Sequence, residues 1–247
     1  MMAMLTGKVA VVIGGTRGIG AAIGRRLAAD GAALALIHLS RSDEAQQLAS
    51  ELRAGGGEVL VRQADIADVP ALVAALDEVA AHFGRIDILV CVAGLAITGS
   101  LDSYAPDAFD RVFAVNVRAP FVAAQKAAAQ MSAGGRIVMV GSIVADRAPG
   151  DGVTLYAASK AALGGMTRGL ARDLGARDIT ANLVQPGPID TERNPADGPH
   201  AAENRAPLAI RRHGTAEEVA GLVAYLVSPA AGFITGATYN IDGGWSA

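Results

Sequence analysis

The sequence predicts a single α/β domain, residues 1–247, built on a doubly wound parallel sheet of about seven strands with helices on both faces. Three observations predict this fold class. Short apolar runs alternate along the chain with longer segments whose apolar residues recur three or four positions apart, as strands alternate with helices. The short runs are apolar at consecutive positions, as in parallel strands buried on both faces. No repeat, low-complexity tract or linker divides the chain.

The predicted elements follow from these two periods. Seven apolar runs are the predicted strands: Lys8–Ile13, Ala33–His38, Glu58–Arg62, Ile86–Cys91, Arg136–Gly141, Thr180–Val184 and Thr238–Ile241. Five longer segments have helical periodicity: Gly20–Ala29, Ala45–Ala54, Val69–Phe83, Ala108–Met131 and Ala157–Leu174. Because strand–helix–strand crossovers are right-handed, this alternation predicts a Rossmann-like sheet wound in both directions from its first strand.

One region departs from the alternation. Five prolines lie between positions 186 and 212: Pro186, Pro188, Pro195, Pro199 and Pro207. A proline-rich insertion between a strand and the next helix is typical of a loop near a ligand site. We therefore expect a mobile substrate lid at about residues 188–212.

Composition excludes several classes of function. The net charge is −3 and the pI about 5.8, so no basic stripe is available for nucleic acid and no polybasic tract for a membrane surface. The single cysteine, Cys91, excludes an internal disulfide and a thiolate metal cluster, and its apolar surroundings favour an inert buried thiol. The N-terminal 15 residues lack a basic lead and a cleavage site, so a cytoplasmic protein is expected. We predict no metal site.

The first predicted strand leads directly into a glycine-rich turn and a helix. This arrangement is typical of a site for the pyrophosphate of a dinucleotide, where glycines allow a tight turn and close backbone approach. Glycine clusters at such turns also occur for steric reasons alone. The candidate contacts are Gly14, Thr16, Arg17, Gly18, Ile19 and Gly20, in a G-x-x-x-G-x-G spacing.

The end of the second strand indicates which nicotinamide cofactor fits. NAD-binding chains place an acidic residue there for the ribose 2′-hydroxyl, but this sequence reads His38-Leu39-Ser40-Arg41-Ser42. Arg17 and Arg41 can instead face a 2′-phosphate, with Ser40 and Ser42 as neutral donors, and this favours NADP(H). The alternative is that both arginines are solvated surface charges.

Asp65 and Ile66 follow the third strand. They are placed to contact the adenine of a bound dinucleotide, although an isolated Asp at such a position is often a helix cap.

Six ordered motifs identify a family resemblance over essentially the whole chain. Gly14-x-x-x-Gly18-x-Gly20, Asp65, Asn116, Ser142, Tyr156-x-x-x-Lys160 and Pro186-Gly187 resemble the short-chain dehydrogenases/reductases in order and spacing. The resemblance implies catalytic roles for Asn116, Ser142, Tyr156 and Lys160. It also implies that Tyr156 and Lys160 contact the cofactor.

The chemistry explains these residue types. Reducing a carbonyl requires a hydride from the cofactor and a proton for the developing alkoxide, and a tyrosine with a pKa near ~10 is a poor acid/base at neutral pH. Lys160, one helical turn beyond Tyr156, places a positive charge near the phenol and favours the phenolate. By resemblance, Lys160 also holds the nicotinamide ribose, Ser142 donates to the substrate oxygen and Asn116 supports a proton path.

The resemblance also assigns backbone contacts. Pro186, Gly187, Ile189 and Thr191 belong to a segment that closes over the nicotinamide, and Ala93 and Gly94 pass close to the cofactor ribose. Where the family carries Asn-Asn-Ala-Gly, this chain has Cys91-Val92-Ala93-Gly94. Val92 cannot form the hydrogen bonds of an asparagine, so local positioning of the cofactor is in doubt.

The resemblance implies a reductase of ketones, aldehydes or 3-oxoacyl compounds, with NADP(H) and a small-molecule substrate. A second hypothesis comes from residues 185–214, which resemble a bacterial subgroup that includes a cyclic-di-GMP-binding biofilm-dispersal protein. In that case the chain sequesters a signalling nucleotide on the same scaffold. The resemblance further implies a homotetramer, or a homodimer.

Overall fold

The computed structural model describes residues 4–247 and contains one seven-stranded sheet. Its strands are all parallel and lie in the order β3-β2-β1-β4-β5-β6-β7. Their bounds are β1 Val9–Ile13, β2 Ala33–His38, β3 Val59–Gln63, β4 Ile88–Cys91, β5 Arg136–Val140, β6 Thr180–Pro186 and β7 Thr238–Ile241. All seven predicted strands are confirmed, with ends that differ by two residues at most.

Eight α-helices lie within residues 4–247. They are α1 Gly18–Ala29, α2 Ser42–Ala54, α3 Val69–Phe83, α4 Ala108–Phe113, α5 Ala119–Gln130, α6 Thr154–Leu174, α7 Ala201–Arg205 and α8 Ala216–Val227. Every helix in this range is too short or too polar to traverse a bilayer.

The helices cover both faces of the sheet, as predicted. One apolar core lies between the sheet and α1, α2 and α8, and includes Leu27 and Val223. The second lies between the sheet and α3, α5 and α6, and includes Leu76 and Leu163. Because both faces of the sheet are buried, successive residues of β1 and β4 are all apolar. Such unbroken apolar runs located these strands in the sequence.

Two helical predictions were wrong. The expected continuous helix Ala108–Met131 is divided by one turn of π-helix, Ala114–Arg118. Pro120 has no N–H to donate to the carbonyl of Asn116, so the regular i to i−4 ladder cannot continue there. Helix α8 was not among the predicted helices, although its apolar residues Val219, Val223 and Leu226 recur at helical spacing and are buried. Its start nevertheless carries a capping box, in which Thr215 and Glu218 each bond the other's backbone N–H.

The strand order reverses between β1 and β4, and this reversal positions the site. In open parallel sheets, ligands bind outside the carboxyl ends of the strands at such a point. Cys91 ends β4 beside Ile13 of β1 and is a buried free thiol, as expected from its surroundings. Burial raises the pKa of its thiol to about 12, so Cys91 is not a nucleophile at neutral pH.

Candidate functional site

A large cleft opens at the carboxyl ends of β1, β2 and β4. Its volume is about 980 Å³. Most of the cofactor residues predicted from the sequence line it: Gly14, Thr16, Arg17, Gly18, Ile19, Gly20, His38, Ser40, Asp65, Ile66, Ala93, Gly94 and Thr191. Residues from four separate turns therefore meet at the point where the strand order reverses.

The glycine turn is shaped by close backbone contacts. Gly14 has φ +82°, and a Cβ added there would lie 2.7 Å from the backbone nitrogen of Ala93. A Cβ at Gly20 would lie 1.9 Å from the carbonyl oxygen of Gly14. Gly18 has φ +48° and faces Thr191. Each glycine thus meets a requirement that a larger residue would violate.

The amino end of α1 borders this cleft. Arg17 is its N-cap residue and makes no side-chain cap, so the first amides of the helix are left for a ligand. Those amides and the helix dipole favour an anion such as a pyrophosphate.

The far end of the cleft lies beside the end of β2. His38 is buried, and its Nδ1 is 3.1 Å from the carbonyl oxygen of Ser40. Arg41 adopts a left-handed conformation with φ +58°, and its Nη1 is 2.9 Å from a carboxylate oxygen of both Glu44 and Glu192. Arg41 lies outside the lining of the cleft, so of the two predicted arginines it is Arg17 that lines it.

Asp65 is not the helix cap that its isolation suggested. Asp68 caps α3 by accepting from the N–H of Ala71, whereas Asp65 accepts from the N–H of Ala67 at 2.9 Å. Asp65 and Ile66 both line the cleft, and their contact with an adenine stays a prediction.

A second cavity of about 210 Å³ adjoins the cleft. It is lined by the predicted catalytic residues Ser142, Tyr156 and Lys160. The predicted contacts Ile19, Gly94, Pro186, Gly187, Ile189 and Thr191 also line it. Ile19, Gly94 and Thr191 border both spaces, so the cleft and the catalytic cavity form one continuous site.

Tyr156 lies in the first turn of α6, and the cavity controls the acidity of its phenol. Burial raises the pKa of Tyr156, while its hydrogen bond with Ser142 and the positive charge of Arg193 lower that pKa. The sequence hypothesis gave the charged role to Lys160. In the structure, the Lys160 Nζ donates to the Val140 carbonyl at 3.0 Å and lies 5.8 Å from the centroid of the Tyr156 ring.

Lys160 is 3% exposed, and burial lowers its pKa to about 8, with the charge of Arg193 acting in the same direction. A depressed pKa of this kind marks a lysine held in a dry site, where its ammonium and neutral forms interconvert near physiological pH.

Asn116 lines neither cavity, but its side chain hydrogen-bonds segments that do border the site. It lies in the π-helical turn and is 1% exposed. Its Oδ1 accepts from the Leu95 N–H at 2.7 Å, and its Nδ2 donates to the Leu95 carbonyl at 2.8 Å and the Ser159 Oγ at 2.9 Å. Asn116 therefore joins the backbone after β4 to α6, next to Lys160. Single π-helical turns are frequent at functional sites.

The Val92 departure from the family pattern has a visible consequence. Val92 is half-buried, packs against the core between the sheet and α1, and lines both cavities. Its backbone N–H and that of Ala93 both lie 2.9 Å from the Ile13 carbonyl, so main-chain contacts hold this turn. An apolar contact thus replaces the amide hydrogen bonds of the family asparagine.

The segment after β6 returns close to the sheet before it turns outward. A Cβ at Gly187 would lie 2.7 Å from the Cα of Asp242, so the segment passes tightly over the residue that follows β7. Ile189 pairs with Gly214 in an isolated bridge, and Thr191 pairs with Asn194. These contacts place Ile189 and Thr191 at the mouth of the catalytic cavity.

Sequence reasoning missed two charged residues of this segment. Glu192 lines the cleft and contacts Arg41, while Arg193 lines both cavities and donates to the Gly94 carbonyl at 3.2 Å. Both side chains lie on an exposed turn without periodicity. The only available signal was their position, one and two residues after Thr191.

Comparison with known proteins gives full-length matches. The family model described as Enoyl-(Acyl carrier protein) reductase matches residues 13–246. The cyclic-di-GMP-binding biofilm dispersal mediator protein of Escherichia coli (strain K12) is 47% identical over 246 residues, covering 100% of both chains.

Solved structures agree with these matches. A short chain dehydrogenase from Burkholderia cenocepacia in complex with NADP has a TM-score of 0.97 at 51% identity, covering 99% of this chain and 100% of that one. The structure of BdcA in complex with NADPH has a TM-score of 0.90 at 47% identity, covering 97% and 95% of the two chains. The chain belongs to the short-chain dehydrogenase/reductase family of oxidoreductases.

Proposed function

We propose that this protein is an NADPH-dependent carbonyl reductase in which Tyr156 transfers the proton. The observation that carries the proposal is the convergence of Ser142, Tyr156 and Lys160 on one cavity of about 210 Å³, continuous with a nucleotide-sized cleft at the strand reversal. The proposed substrate class is a ketone, an aldehyde or a 3-oxoacyl compound. The proposed product is the corresponding alcohol.

The residues of the cleft fit a dinucleotide. The glycine turn forms a cradle that side chains at Gly14 and Gly20 would fill, and the uncapped end of α1 supplies amides for a pyrophosphate. Arg17 lines the cleft with its charge available for a 2′-phosphate. Relatives whose structures contain NADP or NADPH share the fold. When bound, NADPH supplies the hydride of the reaction.

The side chains of this chain perform the remaining tasks. The Ser142 hydroxyl orients the Tyr156 phenol and donates to the substrate oxygen as negative charge develops there. The Tyr156 phenol then gives its proton to that oxygen. Lys160 donates to the Val140 carbonyl in the lining of the cavity, and its ammonium would hold the ribose of a bound cofactor and return a proton to the phenol. Asn116 fixes the backbone that faces Lys160.

The 188–212 segment is the proposed lid. Its entry is fixed by the Ile189 bridge to Gly214, and its short helix α7 packs Ala201 inward. Thr191, Arg193 and Asn194 of this segment line the catalytic cavity. Closing such a segment over the reacting groups excludes water and strengthens the interactions within.

Tyr156→Phe tests the proposed chemistry. The variant keeps the ring and loses the hydroxyl that donates the proton. Turnover of a panel of carbonyl compounds should therefore fall by at least about a thousandfold, a loss of rate typical of removing a positioned acid/base. NADPH binding, followed by the cofactor's fluorescence, should stay within about threefold. Full activity in this variant would reject the assignment of Tyr156.

The Arg17→Ala, Arg41→Ala double variant tests the choice of cofactor. Loss of the arginines should weaken NADPH binding far more than NADH binding, because only NADPH carries the 2′-phosphate. Dissociation constants for both cofactors measure the difference. Equal losses of affinity for NADPH and NADH would show that neither arginine binds the 2′-phosphate.

A second candidate function is binding of cyclic di-GMP. It is favoured by the name of the 47% identical, full-length Escherichia coli relative. The cleft contains the anion-binding end of α1 and the free Arg17, which suit a phosphodiester as well as a pyrophosphate. A calorimetric titration with cyclic di-GMP, repeated with NADPH present, tests it. Micromolar binding without turnover of any carbonyl would make this the primary function.

The proposed assembly is a homotetramer or a homodimer. Exposed aromatic side chains on α4 and α5 support it: Phe109 is 53% exposed and stacked on Phe113, and Phe121 is 50% exposed. Light scattering coupled to gel filtration measures the mass in solution. A monomer at micromolar concentration would exclude both assemblies.

A further inference from the structure

Arg193 lies at the border of the cleft and the catalytic cavity. It is held in a tight turn by hydrogen bonds between Thr191 and Asn194, in which the Asn194 N–H is 2.9 Å from the Thr191 carbonyl. Glu192 and Arg193 are the two central residues of this turn. Their side chains diverge, with Glu192 contacting Arg41 across the cleft and the Arg193 Nη1 donating to the Gly94 carbonyl at 3.2 Å.

The charge of Arg193 is not neutralised by an acidic side chain. Within residues 4–247, Arg193 forms no ion pair, whereas Arg41 pairs with Glu192 and Arg212 pairs with Glu218. The guanidinium lines both cavities and donates one of its five N–H groups to the Gly94 carbonyl.

The residues that line the catalytic cavity also carry more positive than negative charge. Its lining contains two cationic side chains, Arg193 and Lys160, and no Asp or Glu. The Arg193 charge lowers the pKa of both Tyr156 and Lys160, which places it within electrostatic reach of the reacting groups. Lys160 is assigned to the cofactor ribose, so Arg193 is the cation of this lining that favours an anionic group beside Ser142 and Tyr156.

We propose that Arg193 binds a carboxylate of the substrate, and that this enzyme prefers small oxo acids whose carboxylate lies one or two carbons from the reducible carbonyl. The proposal rests on the proposed reductase function and names its substrate class. A guanidinium fork matches a carboxylate with two parallel hydrogen bonds, which gives orientation as well as affinity. Binding there would hold the neighbouring carbonyl between Ser142 and Tyr156.

Matched acids and esters test this specificity. The activity of the NADPH-loaded enzyme is measured with acetoacetate and methyl acetoacetate, and with 2-oxobutanoate and methyl 2-oxobutanoate. In the wild type, kcat/KM for at least one acid should exceed that for its ester by about tenfold or more. Arg193→Met should lower the ratio of kcat/KM for that acid to kcat/KM for its ester by about 10- to 100-fold, because the lost charge near Tyr156 affects both substrates whereas the lost charge-assisted pair affects the acid alone.

Two further variants define the origin of the effect. Arg193→Lys keeps the charge without the fork, so it should recover part of the lost kcat/KM for the acid. Arg211→Met is the matched control, because Arg211 is an exposed arginine of the same segment that lines neither cavity. It should behave as the wild type.

Binding without turnover separates this inference from the proposed function. Acetoacetate is titrated by calorimetry into NADPH-loaded Tyr156→Phe protein with and without Arg193→Met. Binding of the acid that requires Arg193 supports the site even if no carbonyl is turned over. Three results would each overturn the proposal. They are equal losses of kcat/KM for acid and ester in Arg193→Met, a larger NADPH dissociation constant in that variant, or a wild type that prefers the ester. A weaker NADPH constant would assign Arg193 to the cofactor phosphates instead.

Discussion

Replacing Asn116 by Ala should damage both stability and catalysis, by amounts that follow from its contacts. The side chain is 1% exposed and makes three hydrogen bonds, two to the Leu95 backbone and one to Ser159. A net contribution of about 1 kcal/mol per bond predicts a loss of about 3 kcal/mol in the free energy of unfolding. For a chain of this size, that loss lowers the Tm by roughly 6–12 °C.

The catalytic loss has a separate cause. Asn116 holds the backbone at Leu95, and a Cβ at the preceding Gly94 would lie only 3.2 Å from the Lys160 Nζ. Without the amide, that backbone is free to move against Lys160, and small displacements of catalytic groups are costly. We expect kcat to fall by about tenfold or more, with kcat measured at temperatures where both proteins remain folded.

Asn182→Ala is the matched control. Asn182 is 0% exposed and also bonds the backbone, donating to the Ile234 carbonyl at 2.8 Å and accepting from the Ala237 N–H at 3.2 Å. It lines neither cavity, so its loss should cost about 2 kcal/mol of stability with kcat within about twofold. Thermal and urea unfolding, together with steady-state kinetics, give both quantities. The reasoning fails if the two variants lose kcat equally, or if Asn116→Ala costs less than about 1 kcal/mol.

Three further variants report on burial and packing. The pKa of Lys160 is about 8 when folded, below its unfolded value, so this group adds stability as the pH rises from 8 to 10, by up to about 1.4 kcal/mol per pH unit. Burial raises the pKa of Cys91 to about 12, which lowers stability over the same range, so the readout is the difference between the wild type and Lys160→Met in urea titrations, and this difference should rise with pH. Gly20→Ala should abolish NADPH binding, because its Cβ would lie 1.9 Å from a turn carbonyl, whereas Gly24→Ala, whose Cβ would meet only a Leu36 methyl at 3.4 Å, should bind normally. Trp245→Ala should raise KM and cost about 3 kcal/mol of stability, because its ring packs against Leu208 of the lid and Ile143, the residue after Ser142, while replacement of the fully exposed Phe233 by Ala should change neither.

The strands and the glycine turn were predictable because local chemistry specifies them. A strand buried on both faces must be apolar at successive residues, and the runs at β1, β2 and β4 satisfy this requirement without reference to any neighbour. The turn between β1 and α1 needs glycine at positions that no other residue fits. Such constraints are visible along the chain itself.

Other features depend on contacts between distant segments. The π-helical turn at Asn116 accompanies bonds to Leu95 and Ser159, residues 21 and 43 positions away. Helix α8 has an apolar surface that packs on α1 from the other end of the chain, and its capping box was the local signal that went unused. Periodicity carries no information about such partners.

The sequence by itself determined the sheet and the glycine turn after β1, and it predicted that Ser142, Tyr156 and Lys160 belong to one site; the three residues do line one cavity. Only the tertiary structure decided which charges act on that set. It placed the Lys160 ammonium on the Val140 carbonyl and brought the unpaired Arg193 toward Tyr156. The physical reason is that electrostatic interactions depend on distance and burial, which arise when strand ends and the segment after β6 meet, whereas local sequence encodes only conformation and polarity.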